Sequence, residues 1–271
     1  MEKNNLSRVA GDNMMQPIID AHIHLDLYGS RQQRQLLQEM ERYQTEGLIA
    51  VSNHLSSAER TLELSQVDQR VHPAFGYHPE QKLPAPDELS GLLAFMENHK
   101  ETMKAVGEVG LPYYLRKEEP TISMEPYKEL LELMIVHAVR WGKPIVLHAV
   151  YEDAPVACEL LEKHSIRQAH FHWFKGDKNT VQRIVANGYK LSVTPDCVYE
   201  PEIQRMIQQV PLTALMVETD GPWPFHGPFQ DVMTHPKMIH ASVAKIAELK
   251  QLSVAVVYDQ LLKNTKGFYQ F

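Results

Sequence analysis

The sequence predicts an α/β protein that folds as a single (β/α)8 TIM barrel. Short apolar segments typical of strands alternate with amphipathic segments typical of helices along the 271-residue chain. Eight such strands, each followed by a helix, indicate parallel pairing through crossover helices and fit the length of one barrel. A doubly wound open sheet is the alternative. It would need a glycine-rich phosphate turn after the first strand, and the sequence has none there.

The eight predicted strands are apolar and rich in β-branched residues. In chain order they are Ile18–Leu25, Leu48–His54, Val71–Tyr77, Met103–Leu111, Pro144–His148, Gln168–Phe174, Lys190–Thr194 and Ala214–Asp220. The fourth strand contains Gly107 and Gly110, and glycine suits a strand interior only where another group approaches closely.

The predicted helices repeat apolar residues three and four positions apart, as Leu36, Met40 and Tyr43 do in the first. Gly47 and Gly142 are predicted to end the helices that precede them. The stretch after the fourth strand is predicted to be a long polar loop. The predicted helices are Arg31–Glu46, Ser56–Gln69, Asp87–Lys100, Met124–Trp141, Ala154–His164, Asn179–Asn187, Glu202–Gln209, His235–Lys250 and Val254–Phe268.

The composition is that of an ordinary globular protein, with 44% apolar and 23% charged residues. No apolar run is long enough to span a bilayer, and residues 1–16 lack the apolar core of a signal peptide. We therefore expect a cytoplasmic protein with a disordered or loosely attached extension at 1–16 and a barrel domain at 17–271. We expect no membrane and no obligate protein partner.

Two cysteines, Cys158 and Cys197, do not make a disulfide framework or a cysteine-rich zinc site. The net charge of −7 argues against a protein that coats nucleic acid. It does not exclude an enzyme that acts on a phosphodiester, because bound cations can invert the local potential.

The first strand carries two histidines, His22 and His24, whose spacing places both side chains on one face. A divalent metal explains this pair, since neutral imidazole is a common ligand of such ions. The alternative is two hydrogen-bonded core histidines. In a TIM barrel the active-site groups come from the C-terminal ends of the strands, where this pair lies.

The other strand ends also carry polar residues that interrupt apolar segments. Together with the first pair they are His22, His24, His78, Glu108, His148, His172, Glu218 and Asp220. Four of these histidines and two of these carboxylates are enough to hold one or two divalent cations, and Glu108 is suited to bridge two of them. A metal-activated water would then serve hydrolysis, with Asp220 orienting that water or accepting its proton. We expect no covalent nucleophile and no redox or organic cofactor.

Four segments in order resemble the signatures of the TatD family of metal-dependent hydrolases, over nearly the whole chain from Ile18. They are Ile18–Asp26, Gly76–Pro79, Gly107–Leu111 and the run Leu215–Pro222 that follows Pro211. The resemblance implies a hydrolase of the phosphodiester or deoxyribonuclease type. It implies Glu108 as a bridging ligand and assigns six metal ligands: His22, His24, Glu108, His148, His172 and Asp220. We expect Glu108 and Asp220 to be catalytic and His78 to bind substrate.

The chain departs from the family pattern at two positions. Pro112 stands where the family usually has aspartate, and Val150 stands where an arginine usually follows the strand-five histidine. Valine cannot form the two hydrogen bonds to a phosphate that a guanidinium forms, so part of the substrate-binding site is altered. Arg116 and Lys117 are candidates to replace the charge.

These features leave three functions open. The leading expectation is hydrolysis of DNA or a small phosphodiester with one or two divalent ions, whether Zn, Mn or Mg. The second is hydrolysis of a small amide, lactone or ester by the same metal-activated water. The third is a metal-binding or scaffolding protein that has lost catalysis.

Overall fold

In the computed structural model, which describes residues 15–270, eight parallel strands form one sheet whose order follows the sequence. Two backbone hydrogen bonds join the C-terminal end of the first strand to the segment that follows the last strand. Asp220 N donates to His22 O at 2.9 Å, and His24 N donates to Gly221 O at 2.8 Å. The predicted (β/α)8 barrel is therefore confirmed. The strands are β1 (Ile18–Ile23), β2 (Thr45–Val51), β3 (Val71–Phe75), β4 (Ala105–Gly110), β5 (Ile145–His148), β6 (Ala169–Phe171), β7 (Lys190–Val193) and β8 (Leu215–Val217).

Helices surround the sheet and connect its strands. They are α1 (Ser30–Glu39), α2 (Leu55–Val67), α3 (Pro86–Asn98), α4 (Tyr113–Glu118), α5 (Glu125–Trp141), α6 (Asp153–Lys163), α7 (Lys178–Ala186), α8 (Pro201–Gln209), α9 (Ile239–Lys250) and α10 (Val254–Tyr269). Among residues 15–270, none of these helices combines the length and apolarity needed to cross a membrane. Of the extension expected at 1–16, residues 1–14 lie outside the described part of the chain.

Four local predictions are wrong. The first helix ends at Glu39 rather than Glu46, and Gly47 lies inside β2 instead of ending that helix. A Cβ at Gly47 would lie 3.1 Å from the His72 ring, so packing against β3 explains the glycine there. The stretch expected to be a polar loop after β4 begins with α4, and α9 begins at Ile239 rather than His235.

The apolar core has two principal parts. The larger part packs the outside of the sheet against the helices, with residues such as Phe75, Leu131 and Phe171 fully or almost fully buried. A second cluster joins six of the strands to the end of α10 through Phe268 and Tyr269. The polar residues described below therefore belong to one end of an otherwise apolar barrel.

Glycines allow the close approach of β4 to its neighbours, as the sequence predicts. A Cβ at Gly110, whose φ is +157°, would lie 1.9 Å from the His148 carbonyl oxygen. A Cβ at Gly76 would lie 2.5 Å from the Glu108 carbonyl oxygen. These contacts hold the ends of β3, β4 and β5 together, and so bring Glu108 next to His148.

Candidate metal centre

A first cluster of four side chains forms at the C-terminal end of the barrel from His22, His24, Glu108 and Asp220. The Nε2 atoms of His22 and His24 each lie 3.1 Å from Glu108 Oε2. They lie 3.3 and 3.4 Å from Asp220 Oδ1, respectively. The first two come from the end of β1, the third from β4 and the last from the segment after β8. The four atoms converge on one small volume, which is the geometry expected around a cation.

The other oxygen of Glu108 faces a second cluster, formed with His148 and His172. Glu108 Oε1 lies 3.1 Å from His148 Nδ1 and 2.7 Å from His172 Nε2. These two ring nitrogens are 3.2 Å apart. Because the two oxygens of one carboxylate face separate groups of donor atoms, Glu108 is placed where a ligand shared by two cations would lie.

The donor atoms of the first cluster fit a divalent cation. His22 Nε2, Glu108 Oε2 and Asp220 Oδ1 are buried, and they make no hydrogen bond to any residue of the described range 15–270. Buried polar atoms without partners are costly, so their convergence argues for a bound ion. Imidazole and carboxylate donors suit zinc, manganese and related ions.

The electrostatics of the two clusters also favour a cation. Burial opposes ionisation of Glu108, but its interactions with the surrounding histidines, that with His172 first among them, outweigh burial and hold its pKa well below the usual range. Burial likewise lowers the pKa of His24, but the nearby carboxylates of Asp220 and Glu108 outweigh this effect and raise the pKa to about 10. Ionised carboxylates thus dominate this buried volume.

His148 is oriented by a carboxylate that the sequence analysis missed, Glu80. Glu80 Oε1 accepts a hydrogen bond from His148 Nε2 at 2.9 Å. Glu80 also accepts bonds from the backbone N–H groups of Tyr114 at 2.9 Å and Leu115 at 2.6 Å, at the start of α4. Since an ionised carboxylate only accepts, His148 Nε2 carries a proton, and Nδ1 is the nitrogen that would bind a cation beside Glu108. The position of Glu80 two residues after His78 was the available sequence signal.

His78 differs from the other histidines in its proton arrangement. The Glu80 N–H donates to His78 Nδ1 at 3.1 Å, so that nitrogen is an acceptor. Burial holds the pKa of His78 below its ordinary value. The neutral ring therefore carries its proton on Nε2, which lies 3.3 Å from Glu108 Oε1. That atom is a hydrogen-bond donor and offers no lone pair to a metal.

A buried polar network lies behind His172. Glu218 accepts hydrogen bonds from Trp173 N and Ser192 Oγ, both at 2.5 Å, and its Oε1 lies 3.6 Å from His172 Nδ1. His170 Nε2 reaches Ser192 Oγ at 2.6 Å. Ser192, in the middle of β7, thus belongs to this network. His170 contacts Ser192 rather than the two clusters.

Asp220 is positioned by the end of β1. Asp20 accepts hydrogen bonds from Thr219 N at 2.9 Å and Thr219 Oγ1 at 2.5 Å, which fixes the segment after β8. Burial raises the pKa of Asp20 to about 7. Asp220 itself has a φ of +49°, in the left-handed region that aspartate adopts less often than glycine. Such backbone strain is frequent at functional sites.

A cavity of about 480 Å³, here called the metal cavity, opens over the second cluster. The indole of Trp223, 48% exposed, lies at its rim, and Val150 forms part of its wall.

Arg116 is paired with Asp153 at 3.0 Å and Lys117 with Glu152 at 3.0 Å, and neither lines the cavity. Its described lining is His78, Glu80, Tyr114, Glu118, His148, Val150, His172, Trp173, Lys175, Asp220, Trp223 and Pro224.

Residues 19–270 match the sequence model of a family described as TatD related DNase. The match spans the whole barrel and both clusters. The chain belongs to the TatD family. The resemblance inferred from the four signature segments is therefore confirmed, and with it the class of metal-dependent hydrolases.

Relatives agree with this assignment. An uncharacterized metal-dependent hydrolase of Haemophilus influenzae is 39% identical over 254 residues, which cover 93% of this chain and 99% of the relative. The human protein named deoxyribonuclease TATDN3 is 29% identical, with 91% of this TatD chain and 92% of that protein covered. The crystal structure of YjjV, a TatD homologue from Escherichia coli, superposes with a TM-score of 0.85 at 25% identity, covering 94% and 98% of the two chains.

Proposed function

We propose that this TatD-family hydrolase uses two divalent cations to cleave phosphodiester bonds, in a reaction of the deoxyribonuclease type. The placement of Glu108 between the two clusters carries the proposal, since its oxygens face separate sets of donors. In the proposed arrangement His22, His24 and Asp220 complete one site, and His148 and His172 complete the other. Zinc, manganese and magnesium are the candidate ions.

When bound, divalent cations lower the pKa of a coordinated water and polarise the ester under attack. The protein groups have separate tasks in the proposed reaction. Asp220 Oδ1 is buried at the first cluster and is the oxygen that would orient the attacking water and accept its proton. The His78 Nε2–H would donate to an anionic oxygen of the substrate, because its other ring nitrogen is already an acceptor.

The family description and the name of one relative support this substrate class. The matched family is described as TatD related DNase, and the human relative is named a deoxyribonuclease. DNA ends and small phosphodiesters are therefore the proposed substrates. We also propose a cytoplasmic location, which the unpaired state of the two buried cysteines favours.

Hydrolysis of a small amide, lactone or ester is a second candidate, and the wall of the metal cavity favours it. Val150 is 3% exposed and offers no charge to a phosphate. Among the described residues that line this cavity, Lys175 is the sole lysine or arginine. A substrate with little negative charge would be compatible with such a wall.

The direct test is turnover of bis(p-nitrophenyl) phosphate and single-stranded DNA by purified protein loaded with zinc, manganese or magnesium. Glu108→Gln should abolish turnover, because an amide cannot serve two cations as the carboxylate does. Glu159→Gln, an exposed glutamate on α6, is the matched control and should retain wild-type rates. Equal rates for Glu108→Gln and wild type would refute the assignment to this site.

Two other outcomes select the remaining functions. Turnover of a panel of amides, lactones and carboxylic esters, with none of either phosphodiester, would replace the proposal by the second candidate. Stoichiometric metal binding without hydrolysis of any substrate would indicate a protein that binds metal without catalysis. Elemental analysis of protein purified without added metal identifies the ion that it retains.

A further inference from the structure

The metal cavity has an unusual balance of charge for a site that acts on a phosphodiester. Three carboxylates line it, those of Glu80, Glu118 and Asp220, against the single ammonium of Lys175 among the described lining residues. Asp220 belongs to the first cluster and Glu80 is bonded to His148. Glu118 is left as a carboxylate without a role at the metal clusters.

Lys175 lines the metal cavity together with His148 and His172 of the second cluster. It follows His172 by three residues, and its carbonyl oxygen accepts a hydrogen bond from Tyr151 N at 2.7 Å. The Nζ atom lies 4.9 Å from the centroid of the Trp173 ring. Within residues 15–270 it makes no salt bridge, in contrast to Arg116 and its partner Asp153. The charge of Lys175 acts on the Asp196 carboxylate, but no salt bridge within these residues holds the ammonium, so it can approach an anion that enters the cavity.

A second cavity of about 300 Å³, here called the side cavity, shares Trp173, Lys175 and Pro224 with the metal cavity. Three more carboxylates line it: Asp196, Glu200 and Glu202. Asp196 is buried and accepts a hydrogen bond from Trp173 Nε1 at 2.6 Å, while the other two are exposed. A second phosphate placed beyond Lys175 would thus meet several negative charges and no further lysine or arginine of the described lining.

We propose that Lys175 binds the anionic oxygen of the scissile group, and that the site selects phosphodiesters carrying a single negative charge. One ammonium beside the clusters compensates one anionic group. Glu118 on one side and the carboxylates of the side cavity on the other repel a neighbouring phosphate. This inference rests on the proposed phosphodiesterase function and narrows its substrates to small diesters instead of the interior of a nucleic acid strand.

The test uses two chromogenic substrates that differ in one phosphate: thymidine 5′-(p-nitrophenyl phosphate) with and without a 3′-phosphate. For the metal-loaded wild-type protein, the added phosphate should lower kcat/KM by about tenfold or more, the effect of one unfavourable charge contact. Glu118→Gln should narrow this gap by raising kcat/KM for the substrate that carries the 3′-phosphate.

Lys175→Met should lower kcat/KM for the singly charged substrate by about 10- to 100-fold, as loss of a charge-assisted hydrogen bond predicts, and most of the loss should be in KM. Lys175→Arg should restore much of it. Lys178→Met, which removes the same charge from an exposed position at the start of α7, is the control and should match wild type. Thermal unfolding of each variant is measured as well. An unchanged unfolding temperature for Lys175→Met would show that the loss comes from substrate binding and not from packing against Trp173.

The outcomes distinguish this inference from the function on which it rests. If the metal-loaded wild-type protein hydrolyses neither thymidine ester nor bis(p-nitrophenyl) phosphate, the phosphodiesterase proposal fails and the inference falls with it. If the esters are hydrolysed but Lys175→Met keeps the wild-type KM, or both esters react equally well, the inference alone is overturned.

Discussion

Replacement of Glu80 by alanine tests whether this carboxylate prepares His148 to bind a cation. In the wild-type protein Glu80 accepts the His148 Nε2–H at 2.9 Å and is itself held by two backbone N–H groups of α4. The variant loses the group that keeps the ring proton on Nε2. The proton is then free to move to Nδ1, the nitrogen that faces Glu108.

The expected size of the effect follows from the bond that is removed. A hydrogen bond to a charged group contributes about 1.5–3 kcal/mol. Because about 1.4 kcal/mol changes a dissociation constant tenfold, the cation at the second cluster should bind about 10- to 150-fold more weakly. The first cluster should keep its affinity, since neither His22 nor His24 contacts Glu80. Glu80→Gln should lose less, because the amide oxygen remains an acceptor for His148.

Isothermal titration of metal-free protein with zinc or manganese measures both affinities, and elemental analysis after dialysis measures the stoichiometry. Glu118→Gln is the matched control, because Glu118 lines the same cavity and makes no bond to His148. Circular dichroism establishes that each variant is folded. Two cations bound to Glu80→Ala with wild-type affinities would refute the orienting role.

Three further predictions concern the metal clusters, the strand geometry and the stability of the barrel. His22→Ala should reduce metal occupancy at one cluster, while Glu108→Ala should reduce it at both, as measured by the metal content in elemental analysis. Equal losses of metal in the two variants would contradict the bridging role of Glu108. Gly110→Ala should lower the free energy of unfolding by more than about 2 kcal/mol in urea titrations, since its Cβ would lie 1.9 Å from the His148 carbonyl oxygen, and an unchanged midpoint would contradict this. Burial, with the charge of Lys237, lowers the pKa of His235 to about 4, so the unfolded chain binds a proton more readily below pH 6.5. The free energy of unfolding should therefore fall as the pH drops from 6.5 to 4, and His235→Asn should flatten this dependence; identical slopes would refute the attribution.

The barrel fold and the convergence of the polar strand ends could be predicted from the sequence. Strand identity depends on short apolar runs, and the strands of a parallel barrel are buried on both faces, so the pattern is strong. Once eight parallel strands close into a ring, their C-terminal ends meet at one face. His22, Glu108 and His172 are then brought together by topology alone, although they are separated by more than sixty residues at each step.

Element boundaries were less predictable, because local patterns compete with packing there. Residues 40–44 continue the apolar spacing of α1, yet the chain turns at Gln44, whose φ is +49°, to begin β2 at Thr45. Gly47 resembled a helix stop, but its role is to admit the His72 ring beside the sheet. Neither the turn at Gln44 nor the packing role of Gly47 can be predicted without knowing which strand lies next to β2.

The residues that the sequence analysis missed lie in loops, and their roles depend on contacts between distant segments. Glu80 acts only because the start of α4, more than thirty residues away, supplies two N–H groups that hold its carboxylate under His148. Lys175 is distant in sequence from Glu118 and Glu200. Only the folded structure shows that it is the one lysine or arginine among the carboxylates of the described cavity lining. Strand ends therefore determine the reaction class of this protein, because the barrel topology fixes them. We expect the loops to determine the substrate, because the effect of a loop charge depends on the charges that folding places around it.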